Sequence, residues 1–156
     1  MNDLGVALKE WAVICRALAE GQQILLLRKG GIAEPGGVFR VEHDRFWLLP
    51  TYVHQQESGI IDAYRPHLET SITERPTSGN LRLTHYCEVS RVYHCDTLER
   101  AQSLAGQHGW SEQVVESRFH YREPGLYVLA VRVYRVATPV DLQETESIAG
   151  CKSWVH

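Results

Sequence analysis

Two adjacent cations and two glycines follow an apolar run in the stretch LLLRKGGI, residues 25–32. The cations are Arg28 and Lys29, and the glycines are Gly30 and Gly31. Because glycine lets successive backbone N–H groups converge, such a segment can hold an oxyanion between its amides and the two positive charges. A charged strand end followed by a flexible turn has the same composition. The stretch therefore permits two interpretations, a phosphate-binding nest and an ordinary turn.

A second group of polar residues follows an apolar run in LLPTYVHQ, residues 48–55. The proline is expected to end a strand, and Thr51 is expected to cap a helix that carries His54 and Gln55 in its first turn. Free N–H groups at a helix N-terminus favour anions. Histidine and glutamine can contact the edge of a base, and His54 is also a candidate general acid or base. The alternative is a capped helix with two exposed polar residues.

Two further residues are candidates for ligand contacts, Arg132 and Trp110. Arg132 shares one face of a predicted strand with Leu126, Val128, Ala130, Tyr134 and Val136. A guanidinium among apolar side chains needs an acidic partner or an opening onto a binding cleft, and the sequence leaves both open. The indole of Trp110 is a candidate for stacking on a base.

Several familiar chemistries lack their motifs. Gly31 and Gly36 have the spacing of a phosphate-binding loop, but Gly37 and Val38 stand where that loop needs lysine and a hydroxyl residue. The dinucleotide, serine-hydrolase and zinc-protease motifs do not occur. The eight histidines include no pair at i, i+4 spacing, so we predict no metal site and no cofactor.

Chain length, net charge and cysteine count indicate the class of protein. A chain of 156 residues is expected to form a single globular domain, residues 1–156. Its net charge of -3 means that any anion site must be a local patch. No apolar run has the roughly 18–20 residues of a membrane span, and no secretory leader is visible, so a cytoplasmic location is expected. The four cysteines form no C-x-x-C pair and are predicted to be free, buried thiols.

The hydrophobic pattern predicts an α+β fold. Residues 81–95 alternate as a strand with a bend near His85, and residues 126–136 are apolar on both faces, as in a central strand. The other expected elements are a strand at 11–15 with a helix at 16–20 (or one helix over 4–18), a strand at 24–28, a hairpin at 39–49, a helix at 52–64, a helix at 97–107 capped by Asp96, and a helix opened by Ser111. Helices inserted between hairpin-connected strands favour a curved mixed sheet or a small barrel.

Four stretches carry a resemblance that covers nearly the whole chain. They are ALKEWAVICRALAEGQQILLLRKGGI, FWLLPTYVHQ, VYRVATPVDL and GCKSW. Together they resemble a bacterial family known as a domain of unknown function, DUF1802. That resemblance implies no activity.

A second resemblance concerns GQQILLLR, which is similar to the signature G-x-K-x-x-E-x-R of the ASCH branch of the PUA-like barrels. Gly21 and Arg28 match the signature, whereas Gln23 and Leu26 replace its lysine and its glutamate. The resemblance implies a PUA-like barrel and binding of RNA or a coactivator.

The leading hypothesis is a binding module for RNA or a nucleotide-like anionic ligand, without catalysis. Arg28 and Lys29 would hold phosphate, His54 and Gln55 would contact a base or sugar, and Trp110 would stack. One rival is an enzyme acting on nucleic acid or nucleotides, with His54 as general acid or base and Arg28 or Arg132 as electrostatic stabiliser. Another is a protein-interaction or regulatory subunit anchored by an exposed Trp47 or Trp154.

Overall fold

The computed structural model describes residues 4–29, 43–150 and 152–156. The strands are β1 (Ala7–Trp11), β2 (Leu25–Arg28), β3 (Arg45–Thr51), β4 (Asn80–Cys95), β5 (Leu126–Gln143) and β6 (Trp154–Val155). The helices are α1 (Ala12–Ala19), α2 (Arg65–Thr73), α3 (Leu98–Gln102), α4 (Glu112–His120) and α5 (Glu146–Ala149), with short 3-10 helices at Glu57–Gly59 and Asp62–Tyr64. In the described part of the chain, no helix is long and apolar enough to span a bilayer.

The six strands form one mixed sheet in the order β2-β5-β4-β3-β1-β6. Among the described strands, β1 and β3 pair in parallel, and the other neighbours are antiparallel. The long β4–β5 ribbon changes register between Leu83 and His85 and again between Val89 and Arg91. The first register change lies where a bend or bulge was predicted near His85, and such irregularities are typical of bulges, which bend a strand. The helices and the mixed sheet confirm the predicted α+β class.

The two ends of the sheet meet through a side chain. Arg28, at the end of β2, donates from Nη1 to the backbone oxygen of Lys9 and to Oε2 of Glu10, both at 3.2 Å. Since β1 and β2 are not backbone neighbours in the strand order, the curvature of the sheet brings them to this distance. We call this line of contact between β1 and β2 the seam.

The core lies between the inner face of the sheet and helices α1 and α4. Its fully buried members include Phe46, Leu26, Ile14 and Leu129. Cys15, Cys87 and Cys95 are free and buried, which confirms the expectation for these three, and Cys151 lies outside the described residues. Burial raises the pKa of the Cys87 thiol to about 12, so this group packs as a small apolar side chain.

The N-terminal prediction was wrong in its bounds. The strand ends at Trp11 and the helix begins at Ala12, whereas the apolar run 11–15 suggested a strand there. Residues 7–11 pair with residues 47–51, and this pairing decides where the strand lies. The following apolar residues then face the core from a helix, as their helical spacing allowed.

The predicted helix over 52–64 is absent, and the segment holds two 3-10 turns instead. Thr51 is the last residue of β3, and its hydroxyl donates to the backbone oxygen of Glu10 at 3.1 Å rather than capping a helix. Gly59 lies against the indole of Trp11, where a Cβ would meet the ring at 2.9 Å. This close approach and a backbone bridge from Ile60 to Trp110 hold the segment in a non-helical path.

Of the N-caps predicted for α3 and α4, the cap of α4 is confirmed and the cap of α3 is wrong. The side chain of Ser111 accepts a hydrogen bond from the Val114 N–H, which confirms the start of α4. The cap of α3 is Thr97 and not Asp96, and α3 ends at Gln102. The first strand of the predicted hairpin at 39–49 lies mostly outside the described residues, and β3 corresponds to the second.

Gly109 provides a test of this packing. A Cβ at Gly109 would overlap the buried ring of Tyr64, so Gly109→Ala is expected to lower the free energy of unfolding by about 2 kcal/mol or more. Gly5→Ala is the matched control, because nothing lies within 4 Å of a Cβ there. Urea unfolding of both variants measures the effect. Equal stabilities would contradict the packing of this loop against Tyr64.

Candidate functional site

A cleft of about 560 Å³ opens beside the seam. Its walls come from β1, the end of β3, the loop after α2 and the segment that joins α5 to β6. The charged residues that line it are Lys9, Arg28, Arg75, Arg118, Lys152, Glu10 and Glu144. Among the described residues, five cations thus face two carboxylates in a chain whose net charge is -3. We call it the cationic cleft.

The buried carboxylate of Glu10 lies at the floor of this cleft. Its side chain is 1% exposed, and that of its partner Arg28 is 12% exposed. Oε1 accepts a hydrogen bond from the Trp11 N–H at 2.8 Å, and Oε2 lies 3.2 Å from Arg28 Nη1. A carboxylate removed from water in this way requires such partners, so the pair fixes the position of the Arg28 guanidinium.

A second guanidinium, that of Arg118 on α4, approaches the same carboxylate. Its Nη1 donates to the backbone oxygen of Leu27 at 3.1 Å, and its Cζ lies 5.3 Å and 5.1 Å from the ring centres of Trp11 and Trp110. Burial lowers the pKa of Arg118, the charge of Glu10 raises it, and Arg28 lowers it further. An arginine nevertheless stays charged in proteins, so two guanidiniums stand against one carboxylate at the floor.

The upper wall supplies aromatic and hydroxyl groups. The Arg75 guanidinium lies over the ring of Tyr52 at 4.6 Å, in the geometry of a cation–π contact. Burial and the neighbouring Cys15 raise the pKa of Tyr52, so its phenol is neutral at physiological pH. Thr51 and the exposed His54 line the same cleft. The site therefore combines positive charge with a flat ring and polar donors.

Three residues predicted from two separate stretches come together here. Arg28, Thr51 and His54 all line the cationic cleft. The strand exit of LLLRKGGI and the proline-containing strand were expected to lie side by side, and this is wrong, because β1 lies between them: it pairs with β3 and contacts Arg28 across the seam. The helix N-terminus expected between them is absent, because Thr51 belongs to β3.

Lys29 is directed away from this cleft. Its ammonium donates to the backbone oxygens of Phe119, at 2.9 Å, of Gly125, at 2.7 Å, and of Glu123. All three N–H bonds of the lysine are thereby engaged, one in the last turn of α4 and two in the segment that follows it, where carbonyl groups favour a cation. Gly30 and Gly31, the other members of the predicted nest, lie outside the described residues.

Both polar atoms of the Gln55 side-chain amide form hydrogen bonds with other residues of the protein. Oε1 accepts from the Val13 N–H at 2.9 Å, and Nε2 donates to the Ser71 hydroxyl at 3.2 Å. Since Trp11, at the N-cap of α1, makes no side-chain cap, the Gln55 oxygen satisfies one of the free N–H groups of that helix from a distant segment. This explains its position without a ligand.

The tryptophans expected to contact a ligand or partner are buried. Trp110 is 1% exposed and covered by Arg118, so its ring cannot stack on a base in this conformation. Trp47 and Trp154 are 9% and 6% exposed, so the expectation that either forms an exposed anchor is wrong. Each packs in one of the two apolar clusters instead.

Arg132 is exposed, so its predicted burial is wrong. Val128 and Leu129 are both buried, which shifts the alternation of β5 by one residue and turns Arg132 to solvent. The shift lies where β4 has its irregularity after Val89. Arg132 lies opposite Glu88 in the register of β4 and β5, and it does not line the cationic cleft.

The four residues at the positions of the G-x-K-x-x-E-x-R signature lie in different surroundings in the structure. Gln23 is buried, donates to the Leu25 oxygen and accepts from the Tyr64 hydroxyl and the Gly109 N–H. Leu26 is part of the core, and Gly21 has a φ of 74°. Of the four positions, Arg28 is the one that reaches the cationic cleft.

Most of the charged lining was missed by the sequence analysis. The missed residues are Lys9, Glu10, Arg75, Arg118, Lys152 and Glu144. A signal existed for Arg118, because it follows Val115 by three residues and therefore shares the buried stripe of a predicted helix. No local signal identifies Glu10, whose partners come from β2 and α4.

The chain belongs to the family described as a domain of unknown function, DUF1802, whose model matches residues 7–156. No curated protein matches the chain in sequence.

Solved structures of ZmASCH from Zymomonas mobilis are similar to the chain. One mutant of that protein matches with 12% identity over 86% of this chain and 73% of its own, with a TM-score of 0.52. Another mutant matches with 12% identity over 81% of this chain and 66% of its own, with a TM-score of 0.47. The first likeness concerns the fold alone, and it confirms the PUA-like architecture that GQQILLLR implied.

Glu10 should be needed for folding as well as for the charge of the cleft. Glu10→Gln leaves the Arg28 and Arg118 guanidiniums without their carboxylate and is expected to lower the free energy of unfolding by about 3 kcal/mol. Asp141→Asn is the control, because it breaks an exposed pair with Arg82 and should leave stability near wild type. Urea unfolding at pH 7 measures both variants. A Glu10→Gln variant as stable as the control would contradict the buried pair.

Proposed function

We propose that this DUF1802 protein is a non-catalytic binding module, and that single-stranded RNA or a nucleotide-like anion binds in the cationic cleft. The observation that carries the proposal is the local excess of positive charge, five cations against two carboxylates, in a chain of net charge -3. A phosphate brought into the cleft would balance part of that charge. Arginine is suited to this task because its planar fork matches phosphate geometry.

The size and chemistry of the cleft support a ligand of nucleotide scale. A volume of about 560 Å³ falls in the range of small-molecule sites, roughly 300–1,000 Å³. Tyr52, with Arg75 against its ring, offers a surface on which a base can stack. Thr51 and His54 add donors and acceptors for a sugar or a base edge. A cytoplasmic location, where RNA is abundant, belongs to the same proposal.

The alternative function, an enzyme with His54 as general acid or base, has weaker support. A catalytic base is usually oriented by a hydrogen bond to a further group. Within the described residues, His54 is exposed and makes no hydrogen bond or ion pair with another side chain. The arrangement around His54 thus favours binding over proton transfer.

Arg75 and Lys152 offer a test of binding that spares the fold, because both are exposed. The double variant Arg75→Ala/Lys152→Ala should bind a fluorescein-labelled octauridylate more weakly. Its log–log salt slope should be smaller by about 1.4, since each lost single-strand phosphate contact removes about 0.7. Fluorescence anisotropy at several salt concentrations measures both quantities.

The matched control is Arg91→Ala/Arg100→Ala, which removes the same charge from exposed positions outside the cleft. It should keep the wild-type slope and affinity. If both double variants lose affinity equally, the RNA contacts the surface diffusely and the cleft is not its site. If the wild type does not bind the octamer at all, the proposed function fails.

A further inference from the structure

A second cleft adjoins the cationic cleft. It has a volume of about 640 Å³, and Pro50, Tyr52 and Pro76 line both cavities. These three residues therefore form a shared wall, with Tyr52 as its aromatic member. Each cavity has the size of a small-molecule site, so there is room for a ligand on either side of this shared wall.

The second cleft differs from the first in its charges. Two of its arginines are neutralised on the surface, since Arg16 pairs with Glu74 at 2.8 Å and Arg82 pairs with Asp141 at 2.7 Å. Arg135 also lines this cleft, and no ion pair with another described residue neutralises it. The second cleft thus has less excess positive charge than the cationic cleft.

The second cleft also has uncharged groups of the kind that contact a base or sugar. Thr84 Oγ1 lies 2.8 Å from His85 Nδ1, and both residues line the cavity. Successive residues of a regular strand point to opposite faces, so the register change between Leu83 and His85 accounts for their common location. Burial and the charge of Arg135 lower the pKa of His85, so its imidazole is neutral at pH 7 and can both donate and accept.

Tyr52 is placed to separate two adjacent nucleotides. It follows the last residue of β3, and its ring has the Arg75 guanidinium at 4.6 Å. Since Tyr52 is the aromatic member of the shared wall, a strand that occupies both clefts would cross the wall beside this ring. Aromatic side chains between cationic grooves are how proteins bind single strands without requiring a particular sequence.

We propose that the ligand is a single strand of RNA at least two nucleotides long that crosses Tyr52, with a phosphate in the cationic cleft and the next nucleoside beside Thr84, His85 and Arg135. This inference rests on the proposed function and extends it, because a mononucleotide would occupy the first cleft alone. The chemistry recognised is a phosphate followed by a base and sugar, which single-stranded DNA also presents.

The experiment compares the affinities of uridine 5′-monophosphate and tetrauridylate by isothermal titration calorimetry. The wild type should bind the tetranucleotide at least about tenfold more tightly, in keeping with the energy of stacking one or more bases. Tyr52→Ala should lose about tenfold for the tetranucleotide, whereas Tyr52→Phe should keep the wild-type affinity. Arg135→Ala should lower tetranucleotide affinity more than monophosphate affinity.

Each outcome separates the two proposals. If the wild type binds both ligands equally well, or if Arg135→Ala matches the wild type with both, the crossing of Tyr52 is overturned while the cationic cleft stands. If the wild type binds neither ligand, the proposed function fails with it. Thermal unfolding checks Tyr52→Ala, and if that variant does not fold, the exposed Arg135→Ala decides the question.

Two further ligands test whether the bound strand is RNA or DNA and whether it must be single-stranded. A tetradeoxythymidylate that binds more weakly than tetrauridylate supports RNA, and one that binds as tightly overturns the RNA assignment. An RNA duplex that binds as tightly as the single strand overturns stacking on Tyr52, because paired bases cannot lie on the ring.

Discussion

The contact between Glu10 and Arg28 joins parts of the sheet that backbone hydrogen bonds leave apart. β2 stands at one end of the strand order and β1 near the other, so the curved sheet meets itself along a line where side chains replace the ladder. Arg118 satisfies a carbonyl of β2 on the same line. A polar seam of this kind leaves space beside it, and the cationic cleft occupies that space.

Charge at the seam differs from charge elsewhere on the molecule. Many arginines outside the cleft have carboxylate partners at the surface, in the pairs Arg16–Glu74, Arg45–Glu88, Arg65–Asp62, Arg82–Asp141 and Arg100–Asp96. Such pairs contribute little to stability, and they neutralise the surface. The buried carboxylate of Glu10 instead faces two guanidiniums in a region of lower dielectric constant, where charge acts more strongly. A chain of net charge -3 thereby has a local excess of positive charge among the described residues that line the cationic cleft.

The sequence was most informative where the determining interaction is local. The Ser111 cap, the alternation of residues 81–95 and the apolar run from Leu126 depend on neighbours in the chain, and all three correspond to elements of the structure. The helix expected over 52–64 failed because the approach of Gly59 to Trp11 is a tertiary contact.

The candidate site was harder to predict for the same reason. Arg28, Thr51 and His54 could be singled out because each lies at a change of local pattern. Lys29 has the same local pattern as Arg28, but the carbonyl groups that bind it lie about ninety residues further along the chain. Glu10 could not be predicted as a site residue, because its partners Arg28 and Arg118 lie in β2 and α4 and approach it only in the folded sheet.

The central claim is that RNA contacts the protein at the cationic cleft and over Tyr52, and photo-crosslinking tests it most directly. A tetrauridylate in which 4-thiouridine replaces one uridine would be irradiated with the protein, and the crosslinked peptides would be identified by mass spectrometry. We expect crosslinks in residues 50–54 and 75–80, which line the cationic cleft and include the three residues of the shared wall. Crosslinks confined to residues 91–103, on the exposed end of β4 and on α3, would contradict the account.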